Sequence, residues 1–246
     1  MRRLRTPAIV LRRWPFGESS MTLRALTPEL GTVSLMAKGV NKLTSGTLGV
    51  LDTWALIEME CGGSDDAELL TLYRAGLLDR LSGLDGDPER LAAAAVLAEI
   101  AEEAAPPGQP APEIFLWLAD ALRALAALPP GGDPAPVLVP ALFSGLRLAG
   151  LDPALEAAGG AGTDWFSPAA GGLVRETARP HAHARRLRPA TLALLRSAAS
   201  GAPLSPDGPW DDCLTILGEF LHYHWERPPR AWPLLQERRR RRARTA

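Results

Sequence analysis

Cysteine and lysine are both scarce in this chain, and each scarcity excludes something. The two cysteines, Cys61 and Cys213, stand far apart and form no spacing pattern. That excludes a disulfide framework, and the expected setting is the reducing cytoplasm. Lysine occurs only at positions 38 and 42 while Ala, Arg, Leu and Pro abound, which reads as composition bias and not as chemistry. No apolar run reaches the roughly 18 residues that span a bilayer. The basic start, Met1-Arg2-Arg3-Leu4-Arg5, leads only to Ala8-Ile9-Val10-Leu11 before Arg12-Arg13. That stretch is too short for a signal-peptide core. Aromatic residues make up a modest 6%, but hydrophobic residues reach 46% of 246, enough for one large core or two smaller ones.

Catalytic patterns are missing as well. There is no Walker-type phosphate loop and no GxGxxG behind a strand, and Gly159-Gly160-Ala161-Gly162 has no Lys-Ser/Thr after it. Gly17-Glu18-Ser19-Ser20-Met21 has Met where a nucleophile elbow closes with Gly. The histidines form two His-x-His pairs, His181/His183 and His222/His224. On a helix, His222 and His224 would point about 200° apart and could not share one ion. The acidic pairs Asp65-Asp66 and Asp211-Asp212 are explained by loop solvation and by helix N-terminal charge. The expectation is a protein without catalysis, metal or cofactor.

What the chain does have is uneven charge. Residues 1–45 hold 8 bases and 2 acids, residues 46–134 hold 4 and 16, and residues 135–246 hold 15 and 10. The net charge of −1 therefore hides two basic ends around an acidic middle. A purely solubilising surface normally mixes signs, so a basic end points to a polyanion, and nucleic acid leads.

Periodicity divides the chain near residue 80. Before it, apolar residues alternate or cluster as in strands, over 6–12, 21–27, 32–38, 53–61 and 69–75. Pro28-Glu29-Leu30-Gly31 is a tight turn and Gly62-Gly63-Ser64-Asp65-Asp66 a hairpin loop. Five short strands in so few residues predict a small barrel of the OB type. After it, the period becomes helical over 88–105, 113–128, 136–149, 189–200 and 210–225, punctuated by Pro and Gly. The third of these is almost wholly apolar and reads as a buried central helix. The fold class is thus α+β. Residues 1–79 are expected to form the barrel and 80–236 a helical domain with an irregular Gly/Ala-rich insert at about 153–188. Residues 237–246 form a basic tail expected to be disordered.

The candidate site follows from the charge. Arg2, Arg3, Arg5, Arg12, Arg13, Arg24, Lys38 and Lys42 are the expected nucleic-acid-binding residues. Trp14 and Phe16 could stack on bases, while Trp54 is expected in the core. Trp210, Leu214, Leu217, Leu221 and Trp225 form a helical stripe that is either core or a partner groove. Leu217, Leu221 and Trp225 together with Arg147 are the expected partner-binding residues. Arg185, Arg186 and Arg227 are further basic candidates.

Several segments resemble one known family in the right order along nearly the whole chain. They are Ala8-Ile9-Val10-Leu11-Arg12, Phe16-Gly17-Glu18-Ser19-Ser20, Leu26-Thr27-Pro28-Glu29-Leu30-Gly31 and Ala37-Lys38-Gly39-Val40. Leu69-Leu70-Thr71-Leu72-Tyr73-Arg74-Ala75, residues 143–153 and residues 165–173 continue the pattern. The chain resembles RecO, the bacterial recombination mediators. The resemblance implies an N-terminal OB-fold and a helical C-terminal domain. It implies binding to single- and double-stranded DNA, strand annealing, and partnership with RecR in loading RecA. It also implies docking of the acidic, hydrophobic C-terminal tail of single-stranded DNA-binding protein, and work in the cytoplasm at the nucleoid. Many relatives carry four cysteines in the insert. Here the matching positions fall near Ala158, Ala161, Val174 and Thr177, so a zinc-less, degenerate ribbon is expected. The alternative is a non-catalytic protein–protein adaptor that binds no DNA.

Overall fold

The computed structural model describes residues 2–40, 49–64, 67–156, 165–174, 184–205, 207–225 and 227–245. Five strands, β1 (Arg2–Phe16), β2 (Ser20–Thr27), β3 (Gly31–Ala37), β4 (Leu56–Gly63) and β5 (Leu69–Asp79), close into a barrel of order β1-β2-β3-β5-β4. This is the expected OB-type topology: β3 and β5 run parallel, and the other neighbours are antiparallel. The long β1 serves two partners. Its first half pairs with β4 (Leu4↔Cys61, Ala8↔Ile57) and its second half with β2 (Val10↔Ala25, Trp14↔Thr22).

Alternation puts Ala8, Val10, Leu23, Ala25, Val33, Leu35, Ile57, Met59 and Cys61 inside the barrel. A bulge between Val10 and Arg12 shifts the register, so that Arg12 stands across from Arg24 on the outer face. The fourth strand starts at Leu56, later than the pattern suggested, because Thr53 and Trp54 form a turn with Trp54 in the left-handed region (φ 66°). Trp54 is consequently half-buried and not a core residue.

Six helices follow among the described residues: α1 (Pro88–Ala104), α2 (Pro112–Ala126), α3 (Ala135–Leu148), α4 (Pro189–Ser200), α5 (Trp210–His224) and α6 (Trp232–Thr245). The residues cluster into two units, Met1–Gly86 with Ala98–Ala127, and Asp87–Leu97 with Leu128–Ala246. α2 and the end of α1 thus join the barrel, a division that the change of period near residue 80 does not carry. The reason lies in the β2–β3 turn. Thr32 donates from its amide and its hydroxyl to the Ala105 carbonyl, at 3.1 and 2.9 Å, and the Gly108 and Ala111 amides donate to the Leu30 and Pro28 carbonyls, each at 2.9 Å. Gly31, at φ 60°, has backbone carbonyls where a Cβ would stand, so only glycine fits.

The second unit packs α5 against α3 and α4. Leu138, Val139, Leu142, Phe143 and Leu146 of α3 are all buried, as its apolar sequence predicts. A small sheet stands in the expected insert, with β6 (Trp165–Ser167) between β7 (Gly172–Val174) and β8 (Arg185–Arg186). Phe166 and Phe220 bury their rings 6.2 Å apart, centroid to centroid, beneath it. Of the four positions where relatives carry zinc ligands, Val174 ends β7, and 158, 161 and 177 lie outside the described residues, as do His181 and His183. No group of His, Cys, Asp or Glu able to hold a metal occurs among the described residues. No helix among them is long and apolar enough to cross a membrane.

The segment expected as a disordered tail is instead helical through Thr245, in α6. Trp232, Leu235 and Arg239, spaced i, i+3, i+7, are its buried side. A side chain at Gly218 of α5 would run into the Trp232 indole, so the two helices meet across bare backbone. Arginine is a good helix former, and packing supplies the stability that a free basic run lacks.

Candidate nucleic-acid interface

The basic residues of the barrel do not stand free. Arg3 and Arg5 project from alternate positions of β1 beside β4. Arg3 pairs with Glu60 at 3.0 Å and lies 4.4 Å over the Tyr73 ring, and Arg5 pairs with Glu58 at 2.5 Å. That hydrogen bond holds the Glu58 carboxyl below its ordinary range and raises the Arg5 guanidinium. Both groups are solvent-exposed, so the pair contributes little to stability. Arg13 shares Asp52 with Arg80, at 3.0 and 2.6 Å. Arg12 and Arg24 share Glu102 of α1, at 2.8 and 3.3 Å, and Arg24 also donates to Ser34 and Thr32, each at 3.0 Å. Lys38 is exposed and has no ion-pair partner among the described residues. Lys42 and the side chain of Arg2 lie outside them.

The charge of the sequence segments does not survive folding. The barrel's unit holds 11 bases and 15 acids, and the other unit 16 and 13. The acids that β1 meets come from β4, the loop before it, and α1. The alternation Glu58-Met59-Glu60 was the signal for an acidic outer face on β4.

One end of the barrel differs. Trp14 and Phe16 are 45% and 59% exposed. Their register partners are Thr22 and Ser20 of β2, and Met21 in turn opposes Ala37 of β3. Lys38 is the first residue of the turn after β3, at the end of the sheet where Ser20 pairs with Phe16. The outer face of β1–β2 thus runs from Arg12 and Arg24 past Trp14 to Phe16, with Lys38 in the turn that follows β3. Two open aromatic faces beside a free amine can stack bases and meet phosphate. Arg5 and Arg3 lie seven and nine residues back from Arg12 along β1, roughly 23 and 30 Å of strand at about 3.3 Å per residue, and Arg13 has the opposite parity to Arg12. The expected DNA-binding residues are therefore brought together only in part.

The partner-binding expectation needs correction. Leu217 and Leu221 are 1% and 0% exposed, and Trp210 and Leu214 are buried with them, so the α5 stripe is core. α3, α4, Phe166 and Trp232 cover it. Trp225 is half-buried just past α5. Arg147 is exposed and pairs with Asp152 at 3.0 Å, while donating to the Ala199 carbonyl at 3.2 Å. It borders an open cleft of about 990 Å³ lined by Pro153, Leu155 and Arg196 among others. Arg185 pairs with Glu219 at 2.9 Å.

Sequence reasoning missed one charged centre entirely. Arg239, only 8% exposed, binds Glu89 at 2.9 Å, Asp211 at 2.7 Å and also Asp133, while Arg242 reaches Glu89 at 2.6 Å. Burial works against the Arg239 charge, but its hydrogen bonds to the carboxylates of Asp133 and Asp211 outweigh it and raise its pKa. The only sequence signal was an arginine in register with Trp232 and Leu235.

Two family models match the chain in tandem: "Recombination protein O N terminal" over residues 1–80 and "Recombination protein O C terminal" over residues 85–233. The chain is 32% identical to a DNA repair protein RecO of a Nocardioides species, covering 91% of this chain and 95% of the relative. A DNA repair protein RecO from an Anaeromyxobacter species (strain K) is also 32% identical, over 96% and 97%. A third, from Frankia casuarinae, is 32% identical over 94% and 98%. With both models in order and full-length relatives on either count, the chain belongs to the RecO family of DNA repair and recombination proteins.

Proposed function

We propose that this chain is a recombination mediator that binds single- and double-stranded DNA without sequence preference and anneals complementary strands. With RecR it helps RecA onto DNA coated by single-stranded DNA-binding protein. The observation that supports this reading is the exposed end of the barrel, where Trp14 and Phe16 lie open on β1 and the exposed Lys38 follows β3, in a chain of the RecO family. Bases stack on the two rings. Phosphates meet Lys38, Lys42, and the guanidiniums of Arg12, Arg13 and Arg24. Each of those guanidiniums would exchange a carboxylate for a phosphate. The more open Arg13–Asp52 pair is worth only about 0–1 kcal/mol and exchanges cheaply, while Arg12 and Arg24 share the half-buried Glu102 and give it up less readily. Release of condensed counterions drives binding and makes it salt-sensitive. Annealing needs no catalytic residue, only two strands whose repulsion is screened.

The acidic, hydrophobic tail of single-stranded DNA-binding protein would dock in the cleft beside Arg147 and Arg196, with Pro153 and Leu155 as its apolar floor. The adaptor reading is favoured by one observation: every barrel arginine whose pairing is described above already has a carboxylate. Complementary oligonucleotides coated with the cognate single-stranded DNA-binding protein, with and without its tail, separate the two. The mediator anneals them only when the tail is present. Annealing of bare DNA alone would remove the tail from the reading, and absence of both annealing and salt-sensitive binding would leave the adaptor.

A further inference from the structure

The charge on α6 is not used by the barrel. The helix carries Arg238, Arg239, Arg240, Arg241, Arg242 and Arg244 against one acid, Glu237. Packing sorts them. Arg239 and Arg242 turn inward to Glu89, Asp133 and Asp211, and Arg242 also donates to the carbonyls of Gly131 and Gly132 at 3.1 and 3.3 Å. Arg241 pairs with Glu237 one turn back. Arg240 and Arg244 are exposed and have no ion-pair partner among the described residues. Being four apart, they are neighbours on one helix face, with Cβ atoms about 5–6 Å apart.

We propose that Arg240 and Arg244 form a second phosphate-binding face, which takes the backbone of DNA independently of the barrel end. This rests on the reading of the chain as a DNA-binding protein. The inward arginines hold the helix rigid, so two cations are presented at fixed spacing without the ordering cost of a loose tail. The helix dipole does not account for both, because its field acts on the last turn and Arg240 lies before it. A membrane surface fits less well: an interfacial helix offers an apolar face, and here Trp232 and Leu235 are buried.

The test is the salt dependence of duplex binding by the full chain, followed by fluorescence anisotropy between about 50 and 200 mM salt. R240A/R244A should flatten the slope of log K against log salt by about 2, one per lost phosphate contact. R240K/R244K should restore it, since Lys meets phosphate as a point charge. The thermal midpoint should be unchanged in both variants, as both side chains are exposed. A wild-type chain with no salt-dependent binding would overturn the DNA reading as a whole. A normal wild-type slope that R240A/R244A leaves unaltered would overturn this face alone. So would a variant that loses only its binding to phosphatidylglycerol vesicles.

Discussion

Cys61 and Cys213 sit in the two cores with their thiols shielded, and burial raises both pKa values. Cys213 is pushed up to about 12, chiefly by burial, with the Asp212 charge adding to it. Thiolate is the reactive species, so both side chains should be inert. Ellman's reagent at about pH 8, below the ordinary thiol value, should leave the native protein unmodified and titrate both thiols in urea. Rapid reaction of the folded chain would contradict the burial. Stability carries the same signature. Unfolded thiols release their protons from about 9.0 upward while the folded ones keep theirs, so this contribution is complete below that pH and is lost as pH rises through the folded values. Trp14 and Phe16 are the opposite case: large apolar side chains left in water at the end of a strand, 45% and 59% exposed and open to the base stacking proposed for them.

At the scale of elements, α6 depends on Arg239. One guanidinium answers three carboxylates, and Glu89 is at least as buried as Arg239 itself. Removing the cation leaves the buried Glu89 with Arg242 as its remaining partner and takes the guanidinium from Asp133 and Asp211. Arg239→Ala should therefore destabilise the second unit by about 3 kcal/mol or more, read as a shifted urea midpoint. Arg239→Lys should recover only part, since an ammonium cannot serve three acceptors with a planar fork. An Ala variant within experimental error of wild type would mean that α6 is held by Trp232 and Leu235 alone. Most elements were legible from periodicity. β2, β3, α3 and α4 lie within a residue or so of their expected bounds, because inward and outward positions alternate with the period of the element itself. Elsewhere the bounds differ: β1 and β5 run past their expected ends, to Arg2–Phe16 and Leu69–Asp79, Trp54 turns in the left-handed region, and α6 hides its buried side within a run of arginines.

For the molecule as a whole, the balance of charge on the barrel governs DNA binding in the proposed mechanism. On a DNA path that extends back along β1, Glu58 and Glu60 would compete with phosphate for Arg5 and Arg3. E58Q/E60Q should then raise affinity for single-stranded DNA and steepen the salt slope by up to about 2. An unchanged slope would take Arg3 and Arg5 off the DNA path and leave the Trp14–Lys38 end to act alone.

The sequence by itself determined the barrel-then-helices order, the fold class and the family, because strand and helix periods, turn residues and ordered motifs are written locally. It also marked Trp14, Phe16 and Lys38. Only the tertiary structure decided that the arginines of β1 meet Glu58, Glu60, Asp52 and Glu102, that Leu217 and Leu221 are core, and that α2 joins the barrel. It alone placed Arg239 among acids 28 to 150 residues away. Ion pairing and burial are properties of distance in space. Residues far apart in the chain have no shared period by which the sequence could announce them.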